Sequence, residues 1–405
     1  MTLASRLLNL GRKLPEPVQR VVHACSAPGS PIFSLYLRAN GHSAEQIPPP
    51  TPLVDGTKRV YIAPSNAAEQ ARLWAASLEM ASPDIGATNM VAPVLTGGAF
   101  ETDKPVPLGA FHLSKRWQRN EFERVTEFTH VLNESLRPMF GALFRYDPVR
   151  EIQALIDRGI SVAYLGHGSD TRNPALHRTR TPWSPFHDDL PYVARLQRLS
   201  DATRRQVLAL GIPAFVSTPD LLEDLPGSYW CPLVVDVAPW REAARPLLSE
   251  SRIRVTHIPS NNWFKGTELI APTLEALQEV GTLDYFPLQQ IAHNKMPTKL
   301  GEADIVLEQF RLGSYGATAV EAMAAGRVVI GHVIPAVREH VEHTTGLELP
   351  IVEATPDTLG ATLSELIDSP DRLRELGDQG MAYATAVHGG QLSARLLRQH
   401  WIDLD

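Results

Sequence analysis

Gly313-Ser314-Tyr315-Gly316-Ala317-Thr318-Ala319-Val320-Glu321-Ala322-Met323-Ala324-Ala325-Gly326-Arg327-Val328-Val329-Ile330 reads as a glycine-bearing turn, a short helix, a glycine stop and an apolar strand. Ala, Val, Glu and Met favour the helix, and Gly326 stands where a left-handed cap residue ends one. Val328, Val329 and Ile330 form the short apolar run that a strand buried on both faces needs. The turn leaves backbone N–H groups free at the positive end of the helix, which makes a seat for a phosphate. Glu321, just over one turn in, is placed to reach the hydroxyls of a sugar attached to that phosphate.

Outward from this stretch, strand and helix patterns alternate in two runs, each predicting a mainly parallel sheet covered by helices. The first run has strands at 59–64, 125–132, 161–165 and 214–217. A helix capped by Asn66 runs from Ala67 to about Met80, another spans about 190–210, and Tyr229-Trp230 reads as an aromatic turn. The second run has strands at 253–258, 283–286 and 304–307, a helix over 266–277, two helical patterns in 356–387 and a last one in 392–401. The joint falls at 234–240.

At 405 residues the chain is too long for one ordinary core, so two domains are expected. The formal charge of −7 argues against general nucleic-acid binding. Cys25 and Cys231 have no metal-type spacing, which predicts a reducing, cytoplasmic setting. No apolar run reaches the roughly 20 residues of a membrane span. Residues 1–22 mix leucines with Arg6, Arg12, Lys13 and Arg20, and read either as a helix packed on its own domain or as a basic amphipathic contact with the inner face of a membrane.

With the motifs laid out, the segment from Gly313 resembles the nucleotide-sugar site of the large retaining group of GT-B glycosyltransferases (family 4, group 1-like). The matching residues are Gly316 and Glu321-Ala322-Met323-Ala324. Other stretches fall in the order of that family: residues 64–71 after the first strand, Gly166-His167-Gly168-Ser169-Asp170-Thr171-Arg172, Ser217-Thr218-Pro219-Asp220, and Pro259-Ser260-Asn261 followed by Lys265-Gly266-Thr267. The resemblance implies an α/β GT-B fold. Residues 1–236 would form a Rossmann-like acceptor domain and residues 237–389 a Rossmann-like nucleotide-sugar domain, with residues 390–405 returning to the first. It also implies a nucleotide-diphosphate sugar as donor, a sugar, glycolipid or small-molecule acceptor, and retention without a metal or other cofactor.

Carried over residue by residue, the resemblance puts Ala67, Ser260, Asn261, Lys265, Gly313, Ser314, Tyr315 and Gly316 around the donor nucleotide and its phosphates. Glu321 would hold the ribose. Lys265 is the first cation for the leaving diphosphate, Arg311 a second, and His167 serves the sugar side. Glu134, Asp170 and Arg172 are acceptor-side candidates, and Trp183, Phe186 and Trp263 candidate groove walls. The family usually carries a glutamate eight residues before the helix glutamate. Here that position is Gly313, so an inactive nucleotide- or sugar-binding module is the alternative, ahead of a sugar-nucleotide epimerase.

Overall fold

A computed structural model describes residues 28–45, 47–93, 100–288 and 291–404. The amphipathic N-terminal stretch and Cys25 lie outside them. The first sheet contains β1 (Lys58–Ala63), β2 (Ile85–Val91), β3 (Lys104–Pro105), β4 (His130–Glu134), β5 (Ser161–Gly166), β6 (Ala214–Val216) and β7 (Tyr229–Trp230). Its order is β3-β2-β1-β4-β5-β6-β7, and every pair is parallel. The second contains β8 (Ile253–His257), β9 (Leu283–Tyr285), β10 (Ile305–Leu307), β11 (Val328–Gly331) and β12 (Ile351–Glu353), in the order β12-β11-β10-β8-β9, again all parallel.

Chain direction across each sheet reverses once, between β1 and β4 in the first and between β8 and β10 in the second. Open α/β sheets bind ligands at the carboxyl ends of strands flanking such a reversal. Both reversals therefore mark where to look for a site.

The strands behave as their composition dictates. Val60, Ile62, Leu132 and Leu165 join an apolar cluster that runs through Trp230, Val234 and Val235 into Val306 and Val329 of the second sheet and Val320 of the helix Ala317–Ala324. The helix Gln70–Ala81 buries Gln70, Ala71, Trp74, Ala75 and Leu78, the face that a 3.6-residue period puts together. The C-terminal chain does return to the first sheet. After the helix Gln391–Leu397, the ring of Trp401 is buried and its indole N–H donates to Ser161 Oγ at 3.0 Å. Lys58 and Asp403 pair beside it.

Three local expectations are corrected. Residues 115–125 are a helix, Lys115–Val125, capped by Ser114 Oγ accepting from Trp117 N, and the strand starts only at His130. The helix buries Trp117, Phe122 and Val125, whose spacing is helical. Asn66 does not directly precede the α-helix: its backbone is left-handed (φ 47°) and the helix begins at Gln70 after a 3₁₀ turn, although Asn66 Oδ1 still accepts the first-turn Arg72 N–H at 3.2 Å. Tyr229-Trp230 is the edge strand β7, paired with β6.

Candidate functional site

At the second reversal, β10 ends at Leu307 and hands over to Glu308, 2% exposed. Its Oε1 accepts the Gly316 N–H at 3.1 Å and pairs with the Lys265 ammonium. Gly316 precedes the helix Ala317–Ala324, and Lys265 ends the short helix Asn262–Lys265 that follows β8. Lys265 and the turn from Gly313 are thus joined, as expected, and the bridge is a carboxylate the sequence reading passed over.

Gly313 has φ +67°, and a Cβ there would stand 2.6 Å from Ile334 Cγ2. A glutamate at 313 would meet backbone strain and would force Ile334 to shift, so the resembling family's residue is disfavoured here. Ser314 is buried and its carbonyl is taken by Gln309 Nε2. Tyr315 is buried too, its hydroxyl 3.4 Å from both Tyr383 and His388, which makes its ring a packing element. Ser260 is exposed, and Asn261 Oδ1 caps the short helix by accepting from Trp263 N and Phe264 N.

Glu321 is half-buried, and its carboxyl has no hydrogen-bond partner among the described residues. Burial first, then the nearby carboxylates Glu308 and Glu69, push its pKa up to about 8, against the pull of Lys265. The folded protein therefore keeps a proton on Glu321 where the unfolded chain has lost it. That contribution to stability is complete below about pH 4.5 and disappears as pH rises through about 8. Glu321→Gln, neutral throughout, should match the wild type at pH 5 and exceed it by on the order of 2 kcal/mol at pH 9. Urea unfolding at the two pH values checks this; equal stabilities at pH 9 would refute the shift.

Glu69 belongs to the first sheet's side and was not read from the sequence. It pairs with Arg72 and accepts from His293 Nε2 at 3.1 Å, so it links the two halves while facing Glu321. Exposed Ala67 sits next to it on a turn whose Asn66, Ala68 and Glu69 are all left-handed.

At the first reversal, fully buried Glu134 ends β4. Its carboxylate accepts from Ser65 N at 2.8 Å, Asn66 N at 3.0 Å and His167 Nε2 at 2.8 Å. A carboxylate can only accept here, so it holds the His167 proton on Nε2 and leaves Nδ1 as the free ring nitrogen. The imidazole stacks on Trp74, centroids 5.7 Å apart. Glu134 and His167 thus form one unit, which the sequence reading had treated separately.

The other acceptor-side candidates face inward. Asp170 accepts the N–H groups of His167 (3.2 Å) and Gly168 (2.8 Å) and the Tyr164 hydroxyl (2.9 Å), shaping the loop that carries His167. Arg172 is buried and donates through Nε and Nη2 to Asp220 Oδ2 at 3.0 and 2.6 Å. Both are builders of the loop rather than contacts for an acceptor.

Arg311 is also differently employed. Its guanidinium donates to Trp183 O, Ser184 O and the Asp188 carboxylate, bridging the two halves. Trp263 donates to the same Asp188 at 2.6 Å and packs edge-on to Phe186. Phe186 and Trp263 therefore seal the two halves together instead of walling an open groove, and Trp183 joins the seam through its carbonyl. No group of His, Cys, Asp and Glu among the described residues has the arrangement of a metal site, and no described helix is long and apolar enough to cross a membrane.

Two parallel sheets with facing reversals and a returning C-terminal helix define the GT-B fold, and solved structures agree. Sucrose-phosphate synthase from Thermosynechococcus elongatus superposes with a TM-score of 0.56 at 13% identity, over 84% of this chain and 98% of that one. A glycosyltransferase from Rickettsia africae (TM-score 0.51, 10% identity, 84% and 96% covered) and Anabaena HepE in complex with UDP (0.51, 11%, 85% and 99%) share it. In sequence, the MMP α-(1→4)-mannosyltransferase of Mycolicibacterium hassiacum is 27% identical over 154 residues, a stretch spanning 38% of this chain and 38% of that relative. No family model matches the chain.

Proposed function

We propose that this chain is a glycosyltransferase that moves a sugar from a nucleotide-diphosphate sugar to an acceptor hydroxyl, with retention and without a metal. The observation that carries the reading is the convergence of the Lys265 ammonium and the Gly316 N–H on a single point at the β8/β10 reversal, one helical turn from Glu321, which has no hydrogen-bond partner among the described residues. A cation and an oriented amide are what a departing diphosphate needs. Glu321 then takes the ribose hydroxyls. His167, braced by Glu134, faces the sugar side. The bond from the anomeric carbon to the phosphate oxygen breaks, the acceptor oxygen bonds to that carbon on the same face, and the acceptor proton goes to the leaving phosphate oxygen.

The sequence likeness to a mannosyltransferase and the UDP held by one fold relative support this class and suggest mannosyl donors as the first to try. The proposed domains are residues 1–236 and 237–389, with 390–405 bracing the first. Calorimetry with UDP, GDP, ADP and dTDP, followed by transfer of labelled sugar, tests the reading. One nucleotide should bind, more weakly after Lys265→Ala or Glu321→Ala, and label should reach an acceptor. Binding without transfer would instead favour the inactive module, the reading that Gly313 supports. Absence of any nucleotide binding would defeat both.

A further inference from the structure

The two donors proposed to grip the diphosphate are already gripping something: one oxygen of Glu308. The chain's other deeply buried glutamates engage differently. Glu134 uses both oxygens, toward Ser65, Asn66 and His167. Glu121 uses both, toward Thr51 N (3.0 Å) and Tyr61 (3.1 Å). Glu151 does the same toward Met139 N (2.6 Å) and Phe140 N (3.3 Å). Glu308 alone of these four leaves an oxygen, Oε2, buried with no partner among the described residues. A bare buried acceptor costs free energy, and Asp220, which also leaves an oxygen (Oδ1) bare, is held by a guanidinium from the neighbouring loop, Arg172. Glu308 is instead held through the very groups that would bind an anion.

We propose that Glu308 is an internal occupant of the anion seat, a carboxylate that holds Lys265 and the Gly316 amide until an incoming phosphate displaces it. The inference rests on the donor-site reading above. It follows that Glu308 sets donor affinity by competition. The ligand must take over two contacts already made and endure a negative charge beside its own. Lys265 also lies near enough to Glu321 to act on it electrostatically, but its ion pair is with Glu308. Removing the Glu308 charge frees the cation for the ligand.

The test is calorimetric titration of the full chain with inorganic pyrophosphate and with UDP and GDP, on wild type, Glu308→Gln, Glu308→Ala and Lys265→Ala. Thermal unfolding shows that each variant is folded, and the alanine variant stands in should the glutamine one not be. Both Glu308 variants should bind pyrophosphate about tenfold or more tightly than wild type, while Lys265→Ala binds it more weakly. If wild type binds in a Lys265-dependent way and the Glu308 variants bind no better, Glu308 is a brace for Lys265 and the proposal fails while the donor site stands. If neither wild type nor the Glu308 variants bind any of the three ligands, there is no seat and the functional reading fails with it.

Discussion

Lys265→Ala is expected to lower sugar transfer by about 10²- to 10³-fold, the loss typical when one group that stabilises a leaving anion is removed. On the proposed reading, Lys265 is the one cation left for that task among the described residues singled out for it. The second cation, Arg311, spends its guanidinium on Trp183, Ser184 and Asp188. The same substitution also strands Glu308, whose side chain is 1% exposed, and breaking a buried ion pair from one side costs about 3–5 kcal/mol. Stability and catalysis must therefore be separated. In Lys265→Ala/Glu308→Gln the stranded charge is gone, so the unfolding midpoint should recover toward wild type while transfer stays at least about 10²-fold down. Steady-state transfer rates and thermal unfolding of the three proteins check this. Recovery of the rate in the double variant would mean Lys265 acts only by neutralising Glu308.

How much of this was legible depended on the range of the interaction that decides each feature. Strands such as Ile305–Leu307 and Val328–Gly331 are buried on both faces, so their apolar runs announce them in the sequence. β2, Ile-Gly-Ala-Thr-Asn-Met-Val, carries no such run and was missed; Asn89 is tolerated there because it bonds Thr102 and Asp103. In the site, Lys265, Gly316, Glu321 and His167 were visible because each follows a strand end or a glycine turn. Glu308 was not. It reads as one more polar residue after a strand, and its meaning comes from Lys265, 43 positions away. Glu69 gains its role from His293, 224 positions away. Arg311 shows the converse: its neighbours in sequence favoured a ligand contact, and only the packing of residues 183–188 from the other half decides its partner.

The buried pair Arg172–Asp220 carries an expected effect on stability comparable with that of Lys265–Glu308. Arg172 belongs to the loop after β5 and Asp220 to the turn after β6, so their contact ties together the two strand ends beside His167. Burial raises the pKa of Asp220, but Arg172 together with the nearby Thr218 and Ser314 hydroxyls outweighs it and holds the carboxyl below its ordinary 3.8. Arg172→Ala leaves that carboxylate buried and unpaired, at a cost of about 3–5 kcal/mol. Arg180 donates to the Asp220 carbonyl at 3.1 Å and is near enough to soften the loss toward the lower figure. The unfolding midpoint should fall by about 5 °C. Because the pKa of Asp220 is depressed in the folded state, its pair stabilises above the unfolded carboxylate range and ceases to as pH falls through the folded value. Wild type and Arg172→Ala should accordingly begin to converge in stability only as pH falls below about 4, toward the lower folded value. Arg172→Met/Asp220→Leu removes both charges and should regain most of the lost stability, since an apolar pair of similar volume replaces a buried ion pair at little cost. Were the double variant as unstable as the single one, the pair would matter for its hydrogen-bonded geometry, and the position of His167 would then depend on this bridge.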